Sequence, residues 1–446
     1  MKGDKLILRS KNRSDMCKDT CYNVKRLLVY REGGLYVDEY GHKMVLNKRS
    51  DVSSGKLLGV AGMGWMFDAM DVGMLSFIIA ALKIDWNLSA EQMGWIGSLN
   101  SIGMAVGALL FGVMADRMGR KNVFIATLLL FSIGSGVAAF TTTFALFLLL
   151  RFFIGMGLGG ELPVASTLVA ESVPKEKRGR VVVLLESFWA GGWLAAALIS
   201  YFIIPKYGWQ TALLISALPA LYALYLRLGL PDSPQFAKVT EQEKSSVFAN
   251  IAMLWSKEYA KQTTMLWILW FTVVFSYYGM FLWLPSVMVM KGFTLIKSLE
   301  YILIMTLAQL PGYFTAAWLI EKFGRKFVLI VYLIGTTVSA YLFGTAGSIA
   351  LLLTSGILLS FFNLGAWGAL YAYTPEQYPT AIRGTGAGLA ASFGRIGGIL
   401  GPLLVGYLVE QQVSITTIFT IFGISVLIGA AAVLVLGKET RQKELV

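Results

Sequence analysis

The feature that most constrains this chain is an internal repeat. The segment Asp116-Arg117-Met118-Gly119-Arg120-Lys121 returns 205 residues later as Glu321-Lys322-Phe323-Gly324-Arg325-Lys326. A second set, Glu171, Pro174, Arg178 and Gly179, returns at the same offset as Glu376, Pro379, Arg383 and Gly384. Each copy is charged, contains glycine and lies between apolar stretches. A parallel duplication of this kind is typical of two-halved secondary transporters, whose substrate site lies between the halves near the bilayer midplane.

The composition is that of a membrane protein. Apolar residues make up 56% of the 446 residues and charged residues only 14%, with a mean hydropathy of +0.65; a soluble domain is less apolar and more charged. Twelve apolar runs have about the 20 residues that a membrane-spanning helix needs. They cover 57–81, 93–115, 123–140, 144–170, 181–204, 210–228, 264–289, 299–320, 327–343, 349–373, 386–409 and 415–436. The sequence predicts an all-α membrane protein with two pseudo-symmetric six-helix halves.

These spans divide the chain into two tails, two halves and a linker. The tails are residues 1–55 and 438–446, the halves 56–230 and 263–437, and the linker 231–262. Lys and Arg collect after the second, fourth, eighth and tenth spans, and short cytoplasmic loops are rich in both residues. We therefore expect a multi-pass protein of the plasma membrane with both termini in the cytoplasm. This topology accounts for most of the net charge of +12 without a nucleic-acid partner.

The N-terminal tail is polar and basic, without an apolar run that could serve as a signal peptide. It is predicted to be a disordered cytoplasmic segment. Cys17, Cys21 and His42 are the only cysteines and histidine of the chain, and they supply too few ligands for a zinc site. No metal or other cofactor is predicted. A start of translation at Met44 would leave a tail of ordinary length, and the sequence is compatible with both starts.

The repeated loop carries a family resemblance. Gly112-x-x-x-Asp116-Arg117-x-Gly119-Arg120-Lys121 resembles the signature loop of the major facilitator superfamily, and its degenerate copy lies at the corresponding place in the second half. The resemblance covers about residues 56 to 440. It implies the twelve-helix fold of that superfamily, transport of a small molecule by alternating access, no enzymatic activity, and a functional monomer.

Further motifs resemble particular branches of the superfamily. Arg151-x-x-x-Gly155-x-Gly157-x-Gly159-Gly160 and Pro231-Asp232-Ser233-Pro234 are similar to sequences of sugar porters and aromatic acid/proton symporters. Asp68-Ala69-Met70-Asp71 and Gly394-Arg395-x-Gly397-x-x-x-Gly401-Pro402 resemble the aromatic acid symporters. The segment from Phe67 to Ala80, together with Gly159-Gly160-Glu161-Leu162-Pro163, is most similar to bacterial niacin permeases.

Four charged residues of the spans are predicted to lie near mid-membrane, at depths of about 11 to 21 Å for a rise of 1.5 Å per residue. They are Asp68, Asp71, Arg151 and Arg395. A charge there costs several kcal/mol unless it is paired or hydrated, so we expect all four to face the cavity between the halves. A guanidinium matches a carboxylate in bidentate fashion and stays charged. Arg395 is therefore the predicted anchor of a substrate carboxylate.

Asp71 and Arg151 form the predicted proton-coupling pair, because conformational change that separates them would alter the proton affinity of Asp71. The resemblance to sugar porters, in which a first-helix acid faces a fourth-helix Arg, implies the same pair. Asp68 lies on the same face of its helix as Asp71 and is predicted to share the proton or touch the substrate. The alternative is structural: buried ion pairs can serve packing alone, and backbone carbonyls near Gly394, Gly397 and Pro402 could hold Arg395 without a ligand.

Further candidates line the predicted cavity. Glu161 and Glu186 are expected within about 10 Å of the cytoplasmic face, at an inner gate or proton exit, or simply reaching interfacial water. A flat aromatic acid would be held by ring stacking and an amide donor. The candidates are Trp189, Trp193, Tyr277, Tyr278, Trp367 and Tyr371, with Asn363 one turn before Trp367. With 13% aromatic residues in the chain, packing is the alternative role for each.

The charged loops are predicted to form a conformational latch. By the family resemblance, Asp116 docks at the N-terminal end of the eleventh span, where a helix dipole favours an anion, and Glu321 is its weaker counterpart. The latch set is Gly112, Asp116, Arg117, Gly119, Arg120, Arg178, Glu321, Arg325 and Arg383. The alternative is that these loops only anchor the topology. The glycines at 155, 157, 159 and 160 are predicted to let the fourth span pack closely against a neighbour.

Other classes of membrane protein fit the sequence less well. It lacks the G-x-x-x-x-G-K-[ST] phosphate loop of an ATP-driven pump, and its fifth span, with Trp189-Ala190-Gly191-Gly192-Trp193, lacks the proline motif of drug antiporters. A channel would need no two-state latch, and a receptor would normally add a folded soluble domain. The predicted function is proton-coupled uptake of a small aromatic carboxylate, most specifically nicotinate. A benzoate-type permease, a sugar or polyol permease and a uniporter are the alternatives.

Overall fold

The structure is a computed structural model that describes residues 6–7, 28–32, 35–37, 43–44, 54–118, 120–172, 178–219, 221–222 and 247–440. The chain divides into two compact units, Met1–Ser53 and Ser54–Val446. The second unit is helical throughout its described elements and contains all predicted spans.

The first unit contains four short antiparallel strands in the order β1-β2-β3-β4. They are β1 Leu6–Ile7, β2 Leu28–Glu32, β3 Leu35–Val37 and β4 Lys43–Met44. These strands lie within the tail that the sequence predicts to be disordered. Two runs rich in Val and Tyr flank Gly33-Gly34, which is a hairpin signal, and Glu32 pairs with Leu35 across it. Cys17, Cys21 and His42 lie outside the described residues.

The second unit has fourteen described helices. In the first half these are α1 Ser54–Asp85, α2 Ala90–Met118, α3 Arg120–Ala138, α4 Phe144–Ser172 and α5 Arg178–Ser216. Helix α6 Val247–Leu254 lies in the predicted linker, followed by α7 Ala260–Phe281, α8 Leu284–Met290, α9 Leu295–Leu307 and α10 Gln309–Phe323. The last are α11 Arg325–Thr345, α12 Ile349–Glu376, α13 Thr380–Glu410 and α14 Ile415–Leu436.

The twelve predicted spans correspond to these helices, with local breaks that have sequence causes. The fifth span and the first residues of the sixth join as α5, which turns at Gly208 with a φ of 81°. The seventh span is interrupted before Pro285, at the start of α8. Within the described residues, nine helical segments are long and apolar enough to cross a membrane, and 125–138 and 144–159 form shorter apolar helices. Large apolar side chains such as Leu109, Phe140 and Val435 are exposed, as a surface in contact with lipid requires.

Side chains cap several helices where the sequence provides them. Ser89 and Gln92 form a reciprocal capping box at α2: the Ser89 hydroxyl accepts from the Gln92 N–H at 3.1 Å, and the Gln92 amide accepts from the Ser89 N–H at 3.0 Å. Ser348 caps α12 and Ser414 caps α14, each through a hydroxyl that accepts from the backbone N–H three residues later. Such caps satisfy amide groups that have no partner within the helix and fix where the spans begin.

Helices α2 and α4 approach closely through glycine, as predicted for the fourth span. A Cβ placed on Gly155 or Gly159 would collide with the backbone carbonyl of Asn100 or Met104. Gly157 packs against α3, where a Cβ would lie 2.8 Å from the Phe131 nitrogen. The side-chain environment of Gly160 lies outside the described residues. This tight packing holds α4, and with it Arg151, in a fixed position.

The two halves meet at one end of the helices. We call the end that carries the repeated charged loops the loop side, and the end that carries Asp85 and Glu410 the far side. Towards the far side, the Ser98 hydroxyl on α2 donates to the Ile399 carbonyl on α13 at 2.7 Å, and the Ser76 hydroxyl on α1 donates to the Phe281 carbonyl on α7 at 3.0 Å. The halves are therefore closed against each other on the far side.

Candidate functional site

A buried ion pair joins α1 and α4. The Nη1 atom of Arg151 lies 3.2 Å from Oδ2 of Asp71, and neither side chain is exposed. The Ser135 hydroxyl on α3 donates to Oδ1 of Asp71 at 2.7 Å. The Arg151 guanidinium also stacks over the Phe147 ring at 5.2 Å. The structure thus brings together the two residues predicted as a pair, and it adds Ser135, which the sequence gave no reason to select.

The surroundings of this pair differ from the expected cavity-facing position. Its contacts come from α1, α3 and α4, so the pair lies inside the first half. Within the described ranges, Nε and Nη2 of Arg151 have no hydrogen-bond partner. Asp68, one turn earlier on α1, is also buried, with 1% of its surface exposed. Asp71 is the one carboxylate paired with this guanidinium among the described residues, so breaking the pair would leave an uncompensated charge.

Arg395 lies at the contact between α13, α7 and α2. Its Nη1 donates to the Tyr278 hydroxyl at 3.3 Å and contacts the Met104 sulfur at 3.8 Å. Among the described residues no carboxylate forms an ion pair with it. The proposed holding of Arg395 by carbonyls at a helix break is not observed, because α13 is helical throughout Thr380–Glu410. Arg395 is half-buried and retains donors for a further anion.

Aromatic side chains from both halves pack together next to Arg395. The Trp189 indole N–H donates to the Tyr277 hydroxyl at 2.7 Å, which links α5 to α7. The rings of Trp189 and Trp367 are nearly parallel, at 16° and 6.4 Å, and Tyr277 lies 4.9 Å from Trp367. Tyr371 continues the cluster against Trp270 at 5.0 Å. These rings form a surface, contributed by both halves, that suits a flat aromatic molecule.

The cluster contains buried polar atoms that have no hydrogen-bond partner in the described part of the chain. They include Oδ1 of Asn363 and the indole nitrogens of Trp65, Trp193 and Trp367. Buried polar groups in native proteins are nearly always hydrogen-bonded, and groups that are not often serve a ligand. Asn363 and Trp367 were predicted to contribute to the site. Trp65 was missed, although it packs on Trp189 at 5.1 Å.

Glu186, predicted within about 10 Å of the cytoplasmic face, lies among these rings. Only 1% of its surface is exposed. The indole N–H groups of Trp65 and Trp367 face its carboxyl group, and within the described part of the chain Oε2 has no partner at hydrogen-bond distance. The spacing of Glu186, Trp189 and Trp193 places them on one face of α5, a signal that the sequence contained. The side chain of Glu161 lies outside the described residues.

The latch prediction can be compared with the structure only in the second half. Arg325 contacts Glu321 at 3.3 Å and Glu376 at 3.2 Å, and Nε of Arg383 donates to the Pro375 carbonyl at 3.0 Å. The remaining latch residues lie outside the described residues or have side chains that do: Gly112, Asp116, Arg117, Gly119, Arg120 and Arg178. An unpredicted partner is the C-terminal segment, in which Glu439 accepts from the backbone N–H groups of Arg325 and Lys326.

Comparison with known proteins identifies the class. Residues 62–312 and 302–445 match the profile of the Major Facilitator Superfamily. The fold resembles the partially occluded inward open conformation of the xylose transporter XylE from E. coli, with a TM-score of 0.71 and 19% identity over 88% of this chain and 99% of that chain. At that identity the likeness concerns the fold alone. The chain belongs to the major facilitator superfamily and is a multi-pass membrane transporter, not an enzyme.

Two relatives lie closer within the superfamily. The chain is 68% identical over 400 residues to NiaP of Bacillus subtilis (strain 168), named as a candidate niacin/nicotinamide transporter, and the match covers 90% of this chain and 100% of the relative. It is 45% identical over 419 residues to the niacin transporter NiaP of Acinetobacter baylyi, covering 87% and 95% of the two chains.

Proposed function

We propose that the protein imports nicotinate together with protons across the plasma membrane. The observation that carries this proposal is the juxtaposition of Arg395, which has no carboxylate partner among the described residues, with the aromatic cluster around Trp189 and Trp367. A carboxylate on a flat ring fits a cationic fork beside aromatic faces. The names of the two NiaP relatives support a niacin substrate.

Proton coupling is assigned to the pair inside the first half. Asp71 can hold either Arg151 or a proton, because a buried carboxylate separated from its cation is strongly disfavoured in a medium of low polarity. A conformational change that moves α4 relative to α1 would separate Arg151 from Asp71, and Asp71 would then bind a proton. One proton carried with one nicotinate anion makes the transported load electrically neutral. Asp68, buried one turn away, is assigned to the same proton path.

Alternating access follows from the two-halved architecture. The contacts between halves on the far side (Ser98 with Ile399, Ser76 with Phe281) describe one access state, and the latch residues on the loop side would stabilise the other. With the loop side in the cytoplasm, as the Lys and Arg distribution indicates, both termini are cytoplasmic and the far side is extracellular. The working unit is a monomer, since each chain contains both halves.

Uptake of radiolabelled nicotinate into proteoliposomes tests the proposal. An inward proton gradient should stimulate saturable uptake, and an excess of unlabelled nicotinate or benzoate should compete. Glucose should not compete, because it lacks both a carboxylate and a ring face. Entry of glucose in place of nicotinate would overturn the proposal in favour of sugar transport. Nicotinate uptake that ignores the gradient would indicate a uniporter and leave Asp71 without a coupling role.

A further inference from the structure

A second polar group faces the aromatic cluster, and neither the proton pair nor the carboxylate anchor uses it. Glu186 on α5 has 1% of its surface exposed, and its Oε2 has no hydrogen-bond partner among the residues that the structure describes. Charged side chains almost never lie fully buried without a partner, and such residues within a membrane mark functional sites. The position of this carboxyl group therefore calls for a ligand that supplies the missing contact.

The surroundings of Glu186 define what that ligand can be. The indole N–H groups of Trp65 and Trp367 point towards the carboxyl group, and Trp189 packs on both rings, at 5.1 Å and 6.4 Å. A molecule that reaches Glu186 meets these packed rings, and a flat aromatic molecule suits such a surface. The ligand atom that contacts Oε2 must form a hydrogen bond with the carboxyl group through one shared proton. Two acceptors without a proton between them would repel each other.

Glu186 and Arg395 belong to one site with two different ends. Glu186 lies on the same face of α5 as Trp189. Hydrogen bonds and ring contacts connect the two ends: Arg395 binds the Tyr278 hydroxyl, Tyr278 packs on Tyr277 at 5.3 Å, and Tyr277 binds the Trp189 indole. A cation therefore lies at one end of the aromatic cluster and a carboxyl group at the other.

We propose that Glu186 binds the ring nitrogen of the substrate and thereby selects pyridine carboxylates over benzoates. The inference rests on the proposed function and deepens it by dividing recognition between two residues. Arg395 binds the carboxylate, which nicotinate and benzoate share. Glu186 shares one proton with the ring nitrogen, which nicotinate and nicotinamide share. Only nicotinate satisfies both ends, and a site built to hydrogen-bond a substrate atom discriminates strongly against an analogue that lacks it.

Competition binding to the purified full-length protein tests this division. Radiolabelled nicotinate is displaced by unlabelled nicotinate, benzoate and nicotinamide in the wild type, Glu186→Met and Glu186→Gln. In Glu186→Met the affinity for nicotinate should fall about tenfold or more, whereas benzoate should change less than about twofold. Glu186→Gln retains an N–H donor for the ring nitrogen and should lie between. Glu300→Gln, a variant at an exposed glutamate paired with Lys297, controls for the change in charge.

The outcomes separate the inference from the proposed function. Equal losses for nicotinate and benzoate, or an unchanged ratio of their affinities, would overturn the role of Glu186 and leave the proposed function standing. If Glu186→Met binds no ligand because it does not fold, the ratio measured in Glu186→Gln decides, and a wild-type ratio there overturns the inference. A loss of proton-driven accumulation with an unchanged ratio would place Glu186 on the proton path instead. Absence of nicotinate binding in the wild type would overturn the proposed function itself.

Discussion

The guanidinium of Arg151 lies 3.2 Å from the carboxylate of Asp71, and both side chains are fully buried inside the first half. Neither charge could remain there alone, because an isolated ion in a medium of low polarity costs several kcal/mol. Ser135 donates to the carboxylate oxygen that Arg151 does not contact. The pair is therefore stable in this arrangement, and the proposed coupling requires Asp71 to bind a proton when the cation moves away.

Replacing Asp71 with Asn should abolish nicotinate accumulation driven by a proton gradient. The amide keeps the shape of the side chain but cannot gain or lose a proton. Proton movement is therefore no longer coupled to movement of the substrate. Exchange of labelled for unlabelled nicotinate should persist, since it needs no net proton movement. Because Arg151 loses its counterion, the free energy of unfolding should fall by about 3 kcal/mol. Proteoliposome uptake and counterflow, with thermal unfolding in detergent, measure these effects.

Ser135→Ala is the matched control for that experiment. It removes the 2.7 Å hydrogen bond to Asp71 and leaves the ion pair, so it should cost about 1 kcal/mol of stability and retain accumulation. Accumulation that survives in Asp71→Asn would assign the pair a structural role only.

Replacing Arg395 with Lys should raise the KM for nicotinate about tenfold or more. The ammonium group keeps the charge but loses the planar fork that binds a carboxylate through two hydrogen bonds. Initial rates of uptake across a range of nicotinate concentrations measure the change. Tyr278→Phe, which removes only the hydroxyl that accepts from Arg395 at 3.3 Å, should raise KM less. An unchanged KM in Arg395→Lys would contradict the assignment of Arg395 as the anchor.

Much of the fold could be predicted from the sequence because a bilayer imposes one strong rule. A spanning segment must satisfy its own backbone hydrogen bonds, so apolar runs of sufficient length become helices. The breaks were harder to predict. Gly208 turns α5, and Pro285 lies at the start of a new helix within the seventh span. Hydropathy alone indicates neither break. The strands around Gly33-Gly34 were missed because polarity was given more weight than the alternation of Val and Tyr.

The site was predictable where a charge is out of place in a membrane. Asp71, Arg151 and Arg395 stand out in apolar runs for that reason, and the structure brings the first two together. Depth along a helix did not predict the burial of Glu186, since counting residues cannot show which side chains close over a position. Trp65 and Ser135 could not be selected at all, because aromatic and hydroxyl side chains are common in spans and only the packing of distant helices gives these two a role.

Replacing Glu439 with Gln should destabilise the second half on its loop side. The Glu439 carboxylate accepts from the backbone N–H groups of Arg325 and Lys326 at 3.0 and 3.1 Å, at the N-terminal end of α11. The helix dipole favours an anion there. The loss should be about 1 kcal/mol in the free energy of unfolding, which is typical of a cap, and smaller at high salt. Thermal unfolding at two salt concentrations measures it; Glu410→Gln, at the far end of α13, should show no such loss.

Two glycines on α13 lie equally close to a neighbouring backbone, one in the other half and one in the same half. A Cβ on Gly406 would lie 2.7 Å from the Ala90 carbonyl of the other half, and a Cβ on Gly401 would lie 2.7 Å from the Phe275 carbonyl of its own half. A Cβ on Gly388 would meet nothing within 4 Å. The same added methyl group therefore tests the contact between halves, the packing within one half and the helix itself.

Gly406→Ala should shift the protein away from the state that is closed on the far side. Its Cβ collides only while α13 lies against α2, so opening relieves the clash, whereas Gly401→Ala collides in both states and should mainly lower the unfolding temperature. With Cys17 and Cys21 replaced by Ser, a cysteine at position 98, buried at the far-side contact, reports opening through its rate of thiol labelling. In Gly406→Ala that rate should rise about tenfold if the free energy of far-side opening falls by about 1.4 kcal/mol. In Gly388→Ala the rate should stay near the parent value. Equal labelling in Gly406→Ala and Gly401→Ala would mean that the contact between α2 and α13 does not control access, because the clash would then act through stability alone.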